Sequence, residues 1–356
     1  MPVLIIEPYY GDSHKRLIEG MQKYLPFEFE VITMPPRKWK WRMRGAALHV
    51  AELLKDTKPV ETLFCSSYLS LTDLIALVPP WVREARKIVY FHENQLVYPS
   101  RVYKEWDFHF GLTNITTALA ADRVIFNSNY NKNSFLQEIP ALLQKFPDYR
   151  PEGISERIAE KSSVLPPPLD PEEFENLPEM QRNGPVRIVW NHRWEFDKDP
   201  DTFFKTLFAL QERNIEFELV VLGEKFKDYP HIFDEAQERL KKHIVHWGYA
   251  EFRHEYLREL TQCDIVISTA QHEFFGIAVM EAVRAGCMPL LPNRLVYPEL
   301  FGEEYLYEEG ELKSRLIECI TNIEEIRQQN LRPIAQFFEW PQWVEKYNEI
   351  LELKNK

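Results

Sequence analysis

Short, β-rich apolar runs alternate with longer helical stretches along most of this chain, and that rhythm limits the fold more than any other feature. "VLIIE" (3–7) precedes a helical stretch near 13–24, and "FEFEVITM" (27–34) precedes one near 43–55. "TLFCSS" (62–67), "KIVYFHE" (87–93) and "DRVIFN" (122–127) follow, each trailed by a helical segment. Strands with few interior charges, separated by helices, predict parallel sheets covered on both faces. The rhythm breaks at "SVLPPPLDPEEF" (163–174). Three consecutive prolines continue neither a helix nor a central strand. It restarts with "VRIVWN" (186–191), "FELVVLG" (217–223), "IVHWGY" (244–249), "DIVIST" (264–269) and "MPLLPN" (288–293). The reading is α/β: two Rossmann-like, doubly wound domains, 1–170 and 185–340, with a cleft between them. An amphipathic segment, "PQWVEKYNEILEL" (341–353), can pack back on either domain, the first included.

Hydrophobic residues make up 45% of the 356, enough for a sizeable core. No apolar run approaches the roughly 20 residues of a membrane span. The opening "MPVLIIEPYY" lacks a basic n-region and reads as a first strand rather than a signal peptide. Cys65, Cys263, Cys287 and Cys319 are widely spaced and form no CxxC pair. A zinc site or disulfide framework is therefore not expected, and a cytoplasmic, reducing setting is. The formal net charge of −12 argues against a protein that coats nucleic acid indiscriminately. Against that background "PPRKWKWRMR" (35–44) stands out, with Arg37, Lys38, Lys40, Arg42 and Arg44 interleaved with Trp39 and Trp41. Cations suit phosphates and tryptophans stack on bases. The alternative is that the tryptophans pack in the core and the cations form a solvated rim.

In open α/β sheets, ligands bind beyond the carboxyl ends of strands. Four segments fall there. In "STAQHEFFGIAVMEAVRAG" (268–286), a helix beginning near Gly276 offers N–H groups to a phosphate. Glu281 could accept hydrogen bonds from a ribose, or it and Glu273 could be ordinary helix residues. In "VWNHRWEFDKDPDTFF" (189–204), Arg193 and Lys198 are placed to meet a diphosphate, or are solvated loop cations. The aspartates of "DKDPD" resemble a metal-binding pair, but Asp199 or Asp201 more simply caps the following helix, and no metal is expected. In "YFHENQLVYP" (90–99), His92, Glu93, Asn94 and Gln95 place four polar side chains where the crevice should lie. In "EPYYGDSHK" (7–15), Gly11 permits a tight turn, Ser13 can cap the helix, and Asp12 and His14 can face the cleft. The strand-to-helix turns carry no GxGxxG, which counts against a nicotinamide dehydrogenase.

Glu273 and Glu281, with seven residues between them and beginning "EFFG", resemble the E-x7-E signature of family 4 retaining glycosyltransferases, which have the two-domain GT-B fold. That resemblance implies Arg193 and Lys198 on the donor diphosphate and Glu281 on the ribose. It further implies Glu273, with the backbone of Phe274, Phe275, Gly276 and Ile277, near the donor sugar and phosphate, and His92 facing the transferred sugar. The chain departs from the pattern at the first turn, where many members have Gly-Gly and this one has Tyr10-Gly11. Longer stretches, "LIIEPYYGDSHK", "KWKWRMRGAAL", "YFHENQLVYP", "FNSNYNKNSF" and "EFFGIAVMEAVRAGCMPLLPNRLVYPE", look like the family of glycosyltransferase-like domain-containing proteins regarded as tRNA-queuosine α-mannosyltransferases. This implies GDP-mannose as donor, no metal cofactor, and tRNA carrying queuosine as acceptor, with no membrane and no obligate protein partner. Acceptor contacts then fall to Gly11, Asp12, His14, the 37–44 cations and tryptophans, and His92 to Gln95. Two other readings stay open: a transferase with a small-metabolite, glycan or lipid acceptor, and a catalytically silent tRNA-binding protein on the same scaffold.

Overall fold

The computed structural model describes residues 2–98, 108–178 and 183–352. Pro99 of the 90–99 motif, residues 179–182 and Leu353 lie outside these. The chain forms two units, Met1–Pro168 with Trp340–Lys356, and Leu169–Glu339.

The first unit is built on β1 (Val3–Glu7), β2 (Phe29–Thr33), β3 (Thr62–Ser66), β4 (Arg86–Phe91), β5 (Arg123–Phe126) and β6 (Ser162–Val164). They pair in parallel in the order β2-β1-β3-β4-β5-β6. Successive strand residues face opposite sides of the sheet. Leu4, Ile6, Leu63, Cys65, Val89, Phe91, Val124 and Phe126 enter one core cluster. Val3, Ile5, Phe64, Ile88, Tyr90 and Ile125 enter another. Both faces are covered, which is why these strands read as continuous apolar runs. β6 was hidden in the sequence because it is three residues long and runs into Pro166.

Two helices here bear on function. α1 (Asp12–Tyr24) starts at Gly11, with no side-chain cap, so Ser13 does not cap it. α2 (Trp39–Leu53) starts four residues before the periodic stretch near 43, so "WKWRMR" forms its first turns rather than a loop ahead of it. The helix Trp340–Leu351 joins the first unit, burying Trp340, Trp343, Tyr347 and Leu351 against Val3 and Ile5. A Cβ at Gly20 of α1 would lie 2.1 Å from Trp340 Nε1, so only glycine lets the two helices pack this closely.

The second unit repeats the plan with β7 (Val186–Asn191), β8 (Phe217–Leu222), β9 (Ile244–Gly248), β10 (Ile265–Ile267), β11 (Met288–Pro292) and β12 (Leu306–Tyr307). Their order is β12-β11-β10-β7-β8-β9. The two-residue β12 is too short to leave a periodic signal. In each sheet the direction of winding reverses beside the first strand. That switch opens a crevice beyond β1 and β3 in one unit and beyond β7 and β10 in the other. Among the described residues no helix is long and apolar enough to cross a membrane.

Candidate active site

The crevice of the second unit gathers charge around Lys198. It lies in the turn after β7, and the residue is 7% exposed. Nζ donates to the His272 carbonyl at 2.7 Å and lies 3.3 Å from both Glu273 Oε2 and Asp197 Oδ2. Burial alone would lower the Lys198 pKa, but Glu273 and Asp197 outweigh it and the net shift is upward. Burial likewise pushes the Glu273 carboxyl up, and is overridden by Lys198, His192 and a bond from Phe275 N–H, which hold it at about 2. His192 and His272 are pushed down to about 4, first by burial and then by the Lys198 charge. At neutral pH the crevice therefore holds a lysine cation, carboxylates and two neutral imidazoles.

Backbone geometry completes this side. Gly276 adopts φ 78, a left-handed conformation glycine tolerates, and the helix Ile277–Ala285 begins just after it. The Glu273 carboxylate accepts from Phe274 N–H at 3.1 Å and Phe275 N–H at 3.4 Å, so these two donors already have a partner. The side chains of Phe274 and Phe275 are buried. First-turn N–H groups of Ile277 and its successors have no partner inside the helix and suit an anion. Arg193 is more open, with 38% of its side chain exposed and Glu195 at 3.1 Å. Asp199 caps the helix Pro200–Glu212 by accepting from Thr202 N–H at 3.2 Å, and Asp201 lies 3.3 Å from Lys205. Of the "DKDPD" aspartates, Asp199 and Asp201 thus serve the helix, while Asp197 pairs with Lys198.

Glu281 is 1% exposed, which removes the alternative of an ordinary, exposed helix residue. Its Oε1 accepts from Arg253 at 2.7 Å and its Oε2 from Tyr256 O–H at 2.9 Å. Arg253 also reaches Glu173 at 2.6 Å. Each carboxylate oxygen can accept more than one bond, so Glu281 keeps acceptor capacity beside these two donors. Asp197 was weighed in the sequence only as a metal ligand, and Arg253 and Tyr256 were missed there. So was His192, whose Nε2 is buried with no hydrogen-bond partner among the described residues, as a bound sugar or phosphate would supply. Its position directly after β7, between Asn191 and Arg193, was the available signal.

The crevice of the first unit is lined by aromatic and imidazole rings around a buried carboxyl group. Glu7 ends β1 and is 2% exposed. Its Oε1 accepts from Ser66 O–H at 2.9 Å, across the switch point, and from Tyr9 N–H at 2.8 Å. Its Oε2 lies 3.1 Å from His14 Nδ1, within ion-pair range but off the angle of a hydrogen bond. The His14 ring stacks on His92 with centroids 3.7 Å apart. His92 is held well below the usual histidine range by burial and then by His14. Glu7, His14 and His92 have donor atoms within 4.8 Å of one another, the spacing of a metal site. The stacking disfavours that use: lone pairs lie in the ring planes, and an ion shared by two stacked imidazoles would sit outside both. Gly11 is buried and Asp12 exposed at the start of α1.

The "HENQ" run divides. Glu93 accepts from Tyr68 O–H and from Gln95 Nε2. Asn94 is fully buried and structural: its Nδ2 donates to Asn131 Oδ1 at 2.9 Å, and its Oδ1 accepts from Leu96 N–H at 3.1 Å and Val97 N–H at 3.3 Å. It is withdrawn as an acceptor contact. Asn94→Ala should cost about 1–3 kcal/mol of stability, through donors left unpaired. Chemical denaturation checks this; an unchanged midpoint with weakened acceptor binding would restore the ligand role. The basic motif divides too. Trp39 packs against Phe110 (centroids 5.2 Å), Tyr98 and Tyr68, so it is not free to stack on a base. Arg42 donates to the Pro35 carbonyl at 3.1 Å and staples the turn. Lys40 lies over the Trp39 and Phe110 rings.

Two parallel, doubly wound units, the second with a lysine-centred crevice at a helix N-terminus, form the architecture of the GT-B class of glycosyltransferases. Residues 175–336 match the model of glycosyl transferases group 1. The chain is similar in fold to Anabaena HepE in complex with UDP-glucose (TM-score 0.72, 15% identity, 99% of each chain covered). It is likewise similar to the sucrose-phosphate synthase of Thermosynechococcus elongatus (TM-score 0.72, 14% identity, 98% of each chain covered). More specifically, residues 2–169 match the model of the tRNA-queuosine alpha-mannosyltransferase N-terminal domain. A tRNA-queuosine alpha-mannosyltransferase of Drosophila melanogaster is 44% identical over 314 residues, 86% of this chain and 83% of that protein. The chain belongs to the tRNA-queuosine alpha-mannosyltransferase family.

Proposed function

We propose that this protein transfers mannose from GDP-mannose to queuosine in a tRNA anticodon loop, with retention of anomeric configuration. The observation that carries the reading is the 44% identity to the Drosophila mannosyltransferase over most of both chains, joined to the Lys198 cluster in the donor-type unit. Lys198 and the first-turn N–H groups after Gly276 bind the diphosphate and take up the charge that develops on it as it leaves. Arg193 adds a second, more mobile cation. His192 supplies a neutral imidazole and Glu281 the carboxylate for ribose hydroxyls. In the first unit, neutral His92 and the stacked His14 offer hydrogen bonds to sugar or diol hydroxyls, with Glu7 beside His14. The sugar–phosphate bond breaks as the acceptor oxygen bonds to the same face of the anomeric carbon. The acceptor proton goes to the departing phosphate, so no second carboxylate nucleophile is needed.

Mass spectrometry of tRNA after incubation with GDP-mannose or other nucleotide sugars tests this. Mannosylated queuosine is expected with GDP-mannose and queuosine-containing tRNA alone. Transfer to a small metabolite or glycan instead, with tRNA inert, would overturn it. We further propose that no divalent metal takes part, because protein cations and helix N–H groups meet the diphosphate. EDTA should leave the rate unchanged. Activity abolished by EDTA and restored by manganese or magnesium would reverse that, and would direct attention to Glu7, His14 and His92 rather than to the capping Asp199.

A further inference from the structure

α2 has one face that the fold uses and one that it does not. Met43, Ala46, Ala47, Val50 and Ala51 are buried. Opposite them, Trp41 is 74% and Leu48 64% exposed. Gly45 lies between, and positions 41, 45 and 48 follow the i, i+4, i+7 spacing of one helical face. A Cβ placed on Gly45 would meet no atom of the described residues within 4 Å. Nothing among the described residues therefore calls for glycine here, although glycine weakens a helix interior relative to alanine. A second local choice is equally unhelpful to the helix. Its first turn carries no acidic residue, and Lys38, Lys40 and Arg42 crowd the end where the dipole is positive. Lys38 moreover holds the left-handed conformation at the cap, with φ 54. The side chains of Arg37, Lys38 and Arg44 are exposed and make no ion pair among the described residues.

These features cost the isolated helix stability, and one kind of partner compensates for all of them. A polyanion answers the cations and the dipole in a chain whose net charge is −12. An exposed indole adds a platform for an unpaired base. A helix without a side chain at its midpoint admits a sugar-phosphate backbone to close range. Single-stranded nucleic acid combines all three properties. Resting on the acceptor assigned above, we propose that the Trp41–Gly45–Leu48 face of α2, flanked by Arg37, Lys38 and Arg44, docks the acceptor RNA. An unpaired base stacks on Trp41 and the RNA backbone passes over Gly45.

The test exploits opposite signs. Equilibrium binding of a queuosine-containing anticodon stem–loop is measured across a salt series, beside thermal melting, light scattering and mannosyl transfer. Gly45→Ala should raise Tm by about 2–4 °C while weakening RNA binding severalfold, and Gly45→Gln should weaken it at least about tenfold. Trp41→Ala should weaken binding by about 5- to 150-fold with the salt slope kept. Replacing Arg37, Lys38 and Arg44 together by alanine should flatten the slope of log K against log salt by up to about 2. Full RNA affinity in Gly45→Gln and Trp41→Ala would overturn the proposal. So would a change of oligomeric state in these variants with RNA binding intact, which would make the face a protein interface. If the unaltered protein binds the RNA through this face yet transfers no mannose, the functional reading fails and the docking face stands. If transfer is normal and every variant binds as the unaltered protein does, the face alone fails.

Discussion

Lys198→Ala is expected to lower kcat for sugar transfer by roughly 10²–10³, equivalent to about 2.7–4 kcal/mol of transition-state stabilisation. The ammonium is fixed before any substrate arrives, by the His272 carbonyl at 2.7 Å and by Glu273 and Asp197 at 3.3 Å. A charge held this way meets a leaving diphosphate without reorganising. Arg193→Ala should also lower kcat, but less, because Arg193 is partly exposed, paired with Glu195 and must move into place. Steady-state kinetics with GDP-mannose, beside melting curves, separates catalysis from folding. Removing Lys198 leaves Glu273 buried beside Asp197, so some stability is lost as well. Lys198→Met, which preserves most of the side-chain volume, controls for packing. Near-normal turnover in the Lys198 and Arg193 variants would remove both from the donor site.

The strands were legible because both faces of each sheet are covered. That leaves an unbroken apolar run such as Val3–Ile6 or Ile88–Phe91, which sequence inspection finds readily. β6 and β12 were not, since three and two residues carry no period. The start of α2 was misplaced because tryptophans and cations in its first turn resemble a binding loop. At the sites, sequence showed which loops end at a crevice but not which way each side chain turns. Asn94 and His92 are two positions apart; one is tied into the Asn131 network and the other stacks on His14. Glu281 was found, but its partners Arg253 and Tyr256 lie 28 and 25 residues away in sequence and no spacing rule links them. His192 was passed over because a lone histidine after a strand has no motif. Its lowered pKa comes from burial beside a lysine, which only the fold creates.

That burial makes the second unit sensitive to acid. His192 and His272 titrate at about 4 in the folded protein against 6.5 for an ordinary histidine. Below pH 6.5 the unfolded chain takes up protons that the folded chain refuses, so stability falls as pH drops from about 6.5 toward 4. Each histidine alone would account for about 3 kcal/mol over that window. The two are coupled through Lys198, so their effects will not simply add. Glu273 opens a second, lower window. Its folded pKa of about 2 lies below the ordinary 4.5, so the stability it contributes is complete above pH 4.5 and is lost as pH falls toward 2. Urea unfolding from pH 8 to 4 should show a declining midpoint in the unaltered protein. His272→Asn should flatten that decline without abolishing it, because His192 remains. Above pH 7 neither histidine changes charge, so stability should be level there as far as these groups decide it. A midpoint independent of pH between 8 and 4, or a decline that His272→Asn leaves unchanged, would mean that the imidazoles accept protons without strain, and that the crevice around Lys198 is wetter than its geometry shows.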